Sequence, residues 1–134
     1  MDKKLRIGII GTGGISQVHI KAYQSFNDVE IVAGADIIPG KARKVLDKFG
    51  LTEAKDFDNH QDLCNMKGID AVSICTYNSQ HAVCAIDALN AGLHVLLEKP
   101  MCVTMDEAYE MIKAEKKSGK ILSIGFQPRY NPNC

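Results

Sequence analysis

Short apolar runs alternate along this chain with segments of helical periodicity. Strand-like apolar runs occupy residues 5–10, 29–35, 54–57, 70–76, 94–98 and 121–125. Between the first two runs, apolar residues recur at steps of three and four from Ile15 to Phe26, which is the spacing of one helix face. The regular alternation of strand and helix predicts an α/β fold.

Proline, side-chain caps and glycine mark the predicted ends of the remaining helices. Predicted starts lie at Pro39, at Asp58 as the cap of a short helix over 59–66, at residue 79, and at a capping box formed by Thr104 and Glu107. Predicted stops lie at Gly50, Gly92 and Gly119.

The predicted strands are apolar almost throughout, which is typical of a parallel sheet covered on both faces. With right-handed crossovers, the pattern predicts a doubly wound Rossmann sheet with strand order 3-2-1-4-5-6 and helices on both faces. We place this domain at residues 1–125. Residues 126–134, "FQPRYNPNC", contain two prolines and no periodicity, so we interpret them as a segment that leaves the domain.

The composition is that of an ordinary globular protein of 134 residues, with 46% hydrophobic and 24% charged residues. Sixteen Lys and Arg balance sixteen Asp and Glu, so charge gives no reason to expect a nucleic-acid or membrane partner. No apolar run approaches membrane-spanning length. Five cysteines without a Cys-x-x-Cys pair indicate a reducing compartment, and we expect a cytoplasmic protein in which Cys75 is a buried thiol.

The first strand runs directly into the glycine-rich stretch "GTGGIS" at residues 11–16. Gly11 and Gly13 have the spacing that a dinucleotide fingerprint needs for a tight turn and for close approach of a pyrophosphate. Ser16 meets the size limit of the third position, although Gly or Ala is more usual there. We expect the backbone of the turn to bind the cofactor at Gly11, Thr12, Gly13, Gly14 and Ile15.

Asp36 ends the second predicted strand, where a carboxylate can accept hydrogen bonds from both ribose hydroxyls of an adenosine. The same charge repels a 2′-phosphate, and Ile37, which we also place at the cofactor, supplies no cation. We therefore favour NAD over NADP. Lys41 and Arg43 keep NADP open as the less favoured alternative.

Two further groups of residues follow the fourth and fifth predicted strands and face the same crevice, because ligands bind at the carboxyl ends of such strands. Thr76, Tyr77 and Asn78 form one group, and Glu98, Lys99 and Pro100 form the other. A lysine there can hydrogen-bond a substrate hydroxyl and stabilise negative charge as it develops. The alternative for Lys99 is a solvated lysine paired with a neighbouring carboxylate.

The sequence resembles the N-terminal domain of the glucose–fructose oxidoreductase/inositol dehydrogenase (Gfo/Idh/MocA) family over essentially its whole length. The segments that carry the resemblance are "GIIGTGGIS", Asp36, "NSQHAVCAIDALNAGLHVLLEKP" and "GFQPRYNP". It implies NAD(P)-dependent oxidation or reduction of a polyol, sugar or sugar derivative. It also implies a C-terminal substrate domain that these 134 residues lack, so we expect this chain alone to be inactive.

The resemblance also suggests roles for individual residues. It implies that Lys99 is the catalytic lysine, that Glu98 lies beside the nicotinamide ribose and that Pro100 fixes the turn. Arg129 would lie near the junction with the second domain and contribute to cofactor binding. Tyr77 departs from the family pattern, which usually has proline there, so the loop that contacts the cofactor is expected to differ.

Other residue patterns have simpler interpretations. Tyr109 and Lys113 copy a catalytic dehydrogenase spacing, but we interpret them as neighbours on a helix surface. His60 with Cys64, and His81 with Cys84, each give two candidate ligands, so we expect no metal site. His81 either lies near the cofactor loop or serves in capping or packing. His19 is assigned to packing.

Two classes of function remain open. The first is the cofactor-binding half of an oxidoreductase, and the second is a dinucleotide-binding module without catalysis. A methyltransferase is a distant third, because it does not account for Lys99. Apolar surface left where a second domain docks makes a homo-oligomer possible.

Overall fold

The computed structural model of the chain describes residues 3–125. Six parallel strands form one sheet in the order β3-β2-β1-β4-β5-β6, which confirms the predicted doubly wound topology. The strands are β1 Leu5–Ile10, β2 Val29–Ala35, β3 Lys55–Phe57, β4 Ala71–Ile74, β5 His94–Glu98 and β6 Leu122–Gly125. The chain order changes direction between β1 and β4, so loops from both sides of this point meet at one edge of the sheet.

Helices cover both faces of the sheet, as predicted. They are α1 Gly14–Gln24, α2 Lys41–Lys48, α3 His60–Cys64, α4 His81–Asn90 and α5 Met105–Ser118. One buried cluster joins Ile20 of α1 and Leu46 of α2 to the sheet. A second cluster contains Leu63, Ala85 and Met111, from α3, α4 and α5. The two clusters are the two sides of the sheet, and each is closed by its own helices.

The predicted helix ends are confirmed in some places and wrong in others. The Thr104–Glu107 capping box is present, and Gly119 follows α5 with a φ of 71°. Asp58 does not cap α3; Asn59 does, through a side-chain oxygen 2.7 Å from the Asp62 amide nitrogen. Asn59 has the extended backbone that turns a capping side chain back toward the helix, so α3 begins one residue later than predicted.

The second helix also begins later than the sequence indicates. Gly40, with a φ of 81°, separates Pro39 from α2, so the proline lies outside the helix rather than at its first position. Gly50, with a φ of 75°, follows the helix as predicted. A left-handed residue between the proline and the helix reorients the chain, which sequence spacing alone does not reveal.

The apolar face predicted for α1 is only partly buried. Ile20 is fully buried, but Ile15, Val18 and Phe26 are 41%, 57% and 55% exposed. The side that packs on the sheet contains Ser16, which is also fully buried. A small residue therefore occupies the closest contact between α1 and the sheet, and much of the longer apolar stripe faces outward.

Candidate functional site

The glycine turn between β1 and α1 packs directly against the end of β4. Gly11 has a φ of 87°, and a Cβ there would lie 2.8 Å from the carbonyl group of Cys75 and from the amide nitrogen of Thr76. Only glycine meets both conditions without strain. By contrast, a Cβ on Gly13 or Gly14 would meet no atom of residues 3–125 within 4 Å. Gly11 is therefore required by the protein itself, whereas Gly13 and Gly14 leave open space that a ligand can enter.

The start of α1 offers unpaired backbone donors to that space. Gly13 is the N-cap residue; no side chain in the described part of the chain caps the helix, and its first turn contains no acidic residue. Ser16 is buried, and its hydroxyl donates to the Gly13 carbonyl oxygen at 2.5 Å. An uncapped helix start combines free N–H groups with the positive end of the helix dipole, which is the arrangement that holds phosphate.

Asp36 lies at the end of β2 and is held in place by the glycine turn. Its Oδ2 accepts hydrogen bonds from the Thr12 amide at 2.9 Å and the Thr12 hydroxyl at 2.7 Å. Its Oδ1 accepts one from the Ile38 amide at 3.0 Å. Burial raises the pKa of Asp36, but these hydrogen bonds and the charge of Lys41 outweigh it and hold the pKa below its usual value. The side chain is therefore an ionised acceptor at neutral pH.

The Asp36 carboxylate has less free capacity than the sequence suggested. Two oxygens offer about four acceptor positions, and three are used by Thr12 and Ile38. One position, on Oδ1, remains for a ribose hydroxyl. The expectation that Asp36 binds both hydroxyls therefore requires the Thr12 hydroxyl to release Oδ2, an exchange that the sequence could not indicate.

A cavity of about 190 Å³ at the carboxyl edge of the sheet brings most of the predicted site residues together. The predicted residues that line it are Gly11, Thr12, Gly13, Gly14, Ile15, Asp36, Ile37, Thr76 and Tyr77. Sequence reasoning did not place Ile38, His60, Gln80 and Cys84 there. Ile38 could have been found from its position beside Asp36, whereas the other three lie on helical segments whose orientation the sequence leaves open.

Several other predicted residues lie outside this cavity. Asn78 is exposed at the start of a short 3₁₀ turn. His81 is buried, with Nδ1 2.6 Å from the Pro100 carbonyl oxygen and Nε2 3.1 Å from that of Thr76. His81 thus joins the loops after β4 and β5 and is not among the residues that line the cavity; its contact with the cofactor stays a prediction. Arg129 lies outside the described residues.

The end of β5 carries Glu98 and Lys99 in different environments. The Glu98 carboxylate lies 2.5 Å from Nε2 of His19, and both side chains are largely buried. His19, assigned to packing from the sequence, instead makes a polar contact with a predicted site residue. Lys99 is exposed, and within residues 3–125 it forms no ion pair, so the predicted alternative of a carboxylate partner is not seen.

The two cations that kept NADP open differ in their surroundings. Arg43 is committed elsewhere: it donates to the carbonyl oxygens of Leu51 and Ala54 and pairs with Asp47. Lys41 lines the cavity, and its Nζ lies 3.9 Å from the Asp36 carboxylate. Of these two cations, therefore, Lys41 and not Arg43 bears on the choice between NAD and NADP.

The cysteines near the site are buried, which disfavours their reactive thiolate form. Burial raises the pKa of Cys75 to about 12, and the nearby Glu98 charge adds to the effect. Burial likewise raises the pKa of Cys84 to about 11. Cys75 is buried as predicted.

The part of the chain that the structure describes contains no group of three or more His, Cys, Asp or Glu arranged to hold a metal ion. In residues 3–125 no helix has the length and apolarity to cross a bilayer.

A parallel doubly wound sheet with a glycine turn, an uncapped helix start and an acid at the end of β2 defines a dinucleotide-binding Rossmann domain. The comparison with protein families specifies the class further. The GFO_IDH_MocA model, an oxidoreductase family with an NAD-binding Rossmann fold, matches residues 5–126, and the chain belongs to this family. The resemblance inferred from the sequence is thereby confirmed.

Individual relatives agree with this assignment. Inositol 2-dehydrogenase of Salmonella typhimurium is 41% identical over 129 residues, which are 95% of this chain and 38% of that protein. Myo-inositol dehydrogenase from Lactobacillus casei, solved with NAD(H) and myo-inositol, superposes with a TM-score of 0.89 at 27% identity, over 96% of this chain and 38% of its own.

A third solved structure is biliverdin reductase from Synechocystis with biliverdin and NADP⁺. Its TM-score is 0.81 at 30% identity, over 90% of this chain and 37% of that one. The chain therefore spans less than two-fifths of the length of the relatives it matches.

Proposed function

We propose that this chain is the NAD-binding part of an oxidoreductase that transfers a hydride between nicotinamide and a hydroxyl group of a cyclic polyol or sugar. The observation that carries the proposal is the shared cavity. It joins the open glycines of the turn, the uncapped start of α1 and the ionised Asp36. A dinucleotide needs backbone N–H donors for its phosphates beside a carboxylate acceptor for its ribose.

The residues divide the binding of the dinucleotide between them. Backbone N–H groups around Gly13 and Gly14 hold the pyrophosphate, and the free position on Asp36 accepts a ribose hydroxyl. A carboxylate repels a 2′-phosphate, which supports NAD over NADP. Lys41, 3.9 Å from Asp36, reduces that repulsion in part.

The test is a fluorescence titration of the chain with NADH and, separately, with NADPH. We expect tighter binding of NADH. Asp36→Asn removes the charge at similar size, so it should narrow the difference between the two cofactors; Asp28→Asn, at an exposed acid outside the cavity, is the matched control. Tighter binding of NADPH by the unmodified chain would contradict the assignment of Asp36.

We further propose that Lys99 hydrogen-bonds the reacting hydroxyl oxygen of the substrate and stabilises the negative charge that develops as hydride leaves. The nicotinamide supplies the hydride chemistry itself. Lys99 is exposed at the end of β5, beside Glu98, where no described ion pair holds its charge. The class of substrate is supported by the names of the relatives, which act on inositols and include a D-glucoside 3-dehydrogenase of Escherichia coli.

A second candidate function, a dinucleotide-binding module without catalysis, is favoured by one observation: neither Glu98 nor Lys99 lines the cavity. The two candidates differ in the role of Lys99, and the test uses a polypeptide that joins this domain to the remaining length of its relatives. Lys99→Ala should keep NADH affinity and lower turnover roughly 10²-fold or more. Lys113→Ala, at an exposed helix position, should leave turnover unchanged. Equal rates in the two variants would refute the role of Lys99, and no turnover by the unmodified polypeptide would favour the module.

We infer a division of the chain at residue 125 and a reducing, cytoplasmic environment. The buried thiols of Cys64, Cys75 and Cys84 support that environment. Self-association also remains a proposal, supported by exposed apolar side chains along α5 at Met105, Tyr109 and Ile112. Light scattering across a concentration series tests it, and a constant monomer mass would count against it.

A further inference from the structure

His60 lies in the cavity on the side that the turn and Asp36 leave free. It is the first residue of α3, and the preceding strand is tied to Asp36, whose amide donates to the Phe57 carbonyl oxygen at 3.1 Å. Ile37 and Ile38 line the same region directly after Asp36. A dinucleotide has the order phosphate, ribose, base. With phosphate at the turn and ribose at Asp36, the base falls in the region lined by His60, Ile37 and Ile38.

The contact between His60 and Asp87 determines which ring nitrogen of His60 remains free to bind a ligand. Nε2 lies 2.7 Å from Oδ2 of Asp87. An ionised carboxylate only accepts hydrogen bonds, so Nε2 carries a proton, and when the ring is neutral Nδ1 is an acceptor. Among residues 3–125 no group is hydrogen-bonded to Nδ1. Every buried side-chain nitrogen or oxygen in that range has a hydrogen-bond partner, so Nδ1 is not one of the buried atoms. Nδ1 is therefore accessible.

The accessible surface of His60 is small and adjoins the cavity. Only 11% of its side chain is exposed, and the ring lines the cavity wall. Cys84, another lining residue, is close enough to Asp87 for that charge to raise the pKa of its thiol. His60 is thus part of the cavity wall, and its contact with Asp87 holds the ring there beside apolar side chains.

We propose that His60 determines specificity for adenine by accepting, at Nδ1, a hydrogen bond from the 6-amino group of the base. Asp87 is the positioning residue that fixes the ring tautomer. This inference rests on the proposed function, since it presupposes that a dinucleotide occupies the cavity. The discriminating chemistry is simple: adenine presents a donor at position 6, whereas hypoxanthine presents a carbonyl oxygen, which would face another acceptor.

The experiment compares the affinity of the chain for NADH and for reduced nicotinamide hypoxanthine dinucleotide by fluorescence titration. One hydrogen bond corresponds to a preference of roughly 5-fold for NADH in the unmodified chain. His60→Leu should reduce that ratio to about one, and His60→Asn, whose amide oxygen can accept near the position of Nδ1, should keep a preference for NADH. Gln61→Leu, at an exposed neighbour in α3, is the matched control and should keep the full ratio.

The outcomes separate this inference from the proposed function. If NADH and the hypoxanthine analogue bind equally well to the unmodified chain, or if His60→Leu keeps the full preference, the role of His60 is refuted while dinucleotide binding stands. If neither compound binds, the proposed function fails and the inference fails with it. Circular dichroism verifies that each variant is folded. If His60→Leu is unfolded, the inference depends on His60→Asn, and equal affinities in that variant would overturn it.

Discussion

Alanine substitution at two glycines of the same turn should have different effects. At Gly11 it should destabilise the fold, whereas at Gly13 it should weaken NADH binding. Gly11→Ala places a methyl group 2.8 Å from the backbone of Cys75 and Thr76, at a residue whose φ is 87°. Gly13→Ala adds the same methyl group where nothing lies within 4 Å, at a φ of −79°. The pair therefore separates the glycine that the fold requires from the glycine that the ligand requires.

The cost of Gly11→Ala has two parts. A left-handed conformation costs an alanine about 1–2 kcal/mol relative to glycine. Displacing the backbone of Cys75 and Thr76, directly after β4, to relieve the contact adds about 1–3 kcal/mol, as in other overpacked sites. The sum is about 2–5 kcal/mol, a large share of the roughly 5–15 kcal/mol that stabilises a typical domain. Gly13→Ala adds no clash, so its effect on the free energy of unfolding should be within about 1 kcal/mol.

The assays are urea unfolding followed by circular dichroism, and NADH titration of the variants that fold. Gly11→Ala should lower the midpoint strongly at an unchanged m-value. Gly13→Ala should unfold near the midpoint of the unmodified chain yet bind NADH more weakly, because the methyl group occupies space proposed for the pyrophosphate. Equal midpoints for the two variants would refute the packing argument, and unchanged NADH affinity in Gly13→Ala would refute the ligand argument.

Three further predictions concern stability and reactivity. Because the pKa of Asp36 is lowered by folding, its contribution to stability is present above its ordinary value of 3.8 and is lost as the pH falls below it; acid titration of Asp36→Asn should therefore show a shallower loss, and identical acid profiles would argue against this. Thr104→Ala removes the capping-box acceptor of α5 and should cost about 1 kcal/mol in urea unfolding; the exposed Thr52→Ala serves as control, and equal midpoints for the two variants would dismiss the cap. Thiol labelling mapped by mass spectrometry should modify the partly exposed Cys102 in the native protein and leave the buried thiols Cys64, Cys75 and Cys84 unmodified. Rapid labelling of those three buried thiols in the native protein would contradict this prediction.

The features predicted correctly from sequence depend on short-range patterns. Apolar runs, helical spacing and the capping box of Thr104 with Glu107 involve residues within one or two turns of each other, and they led to the strand order and the helices on both faces. The spacing of Gly11 and Gly13 and the position of Asp36 after β2 likewise led to residues that line one cavity, because a turn and its following helix are local structures.

Local patterns were less informative where a second part of the chain intervenes. Asp58 and Asn59 are both good caps, and only the backbone conformation distinguishes them. Arg43 was a reasonable phosphate ligand by position, but carbonyl groups of the loop before β3 bind it. The apolar spacing of α1 wrongly put Ile15 on the buried face, whereas the small third position of the glycine fingerprint correctly put Ser16 there.

By itself, the sequence determined the fold class, the glycine turn and the acid that follows β2, because period and spacing are properties of the chain. The tertiary structure alone decided that Thr12 occupies both acceptor positions on Oδ2 of Asp36, that His81 joins two loops, and that Asp87 contacts the ring of the cavity-lining His60. The physical reason is that each of these contacts joins different elements of the fold. A hydrogen bond of this kind depends on where two elements meet, which periodicity within either element does not specify.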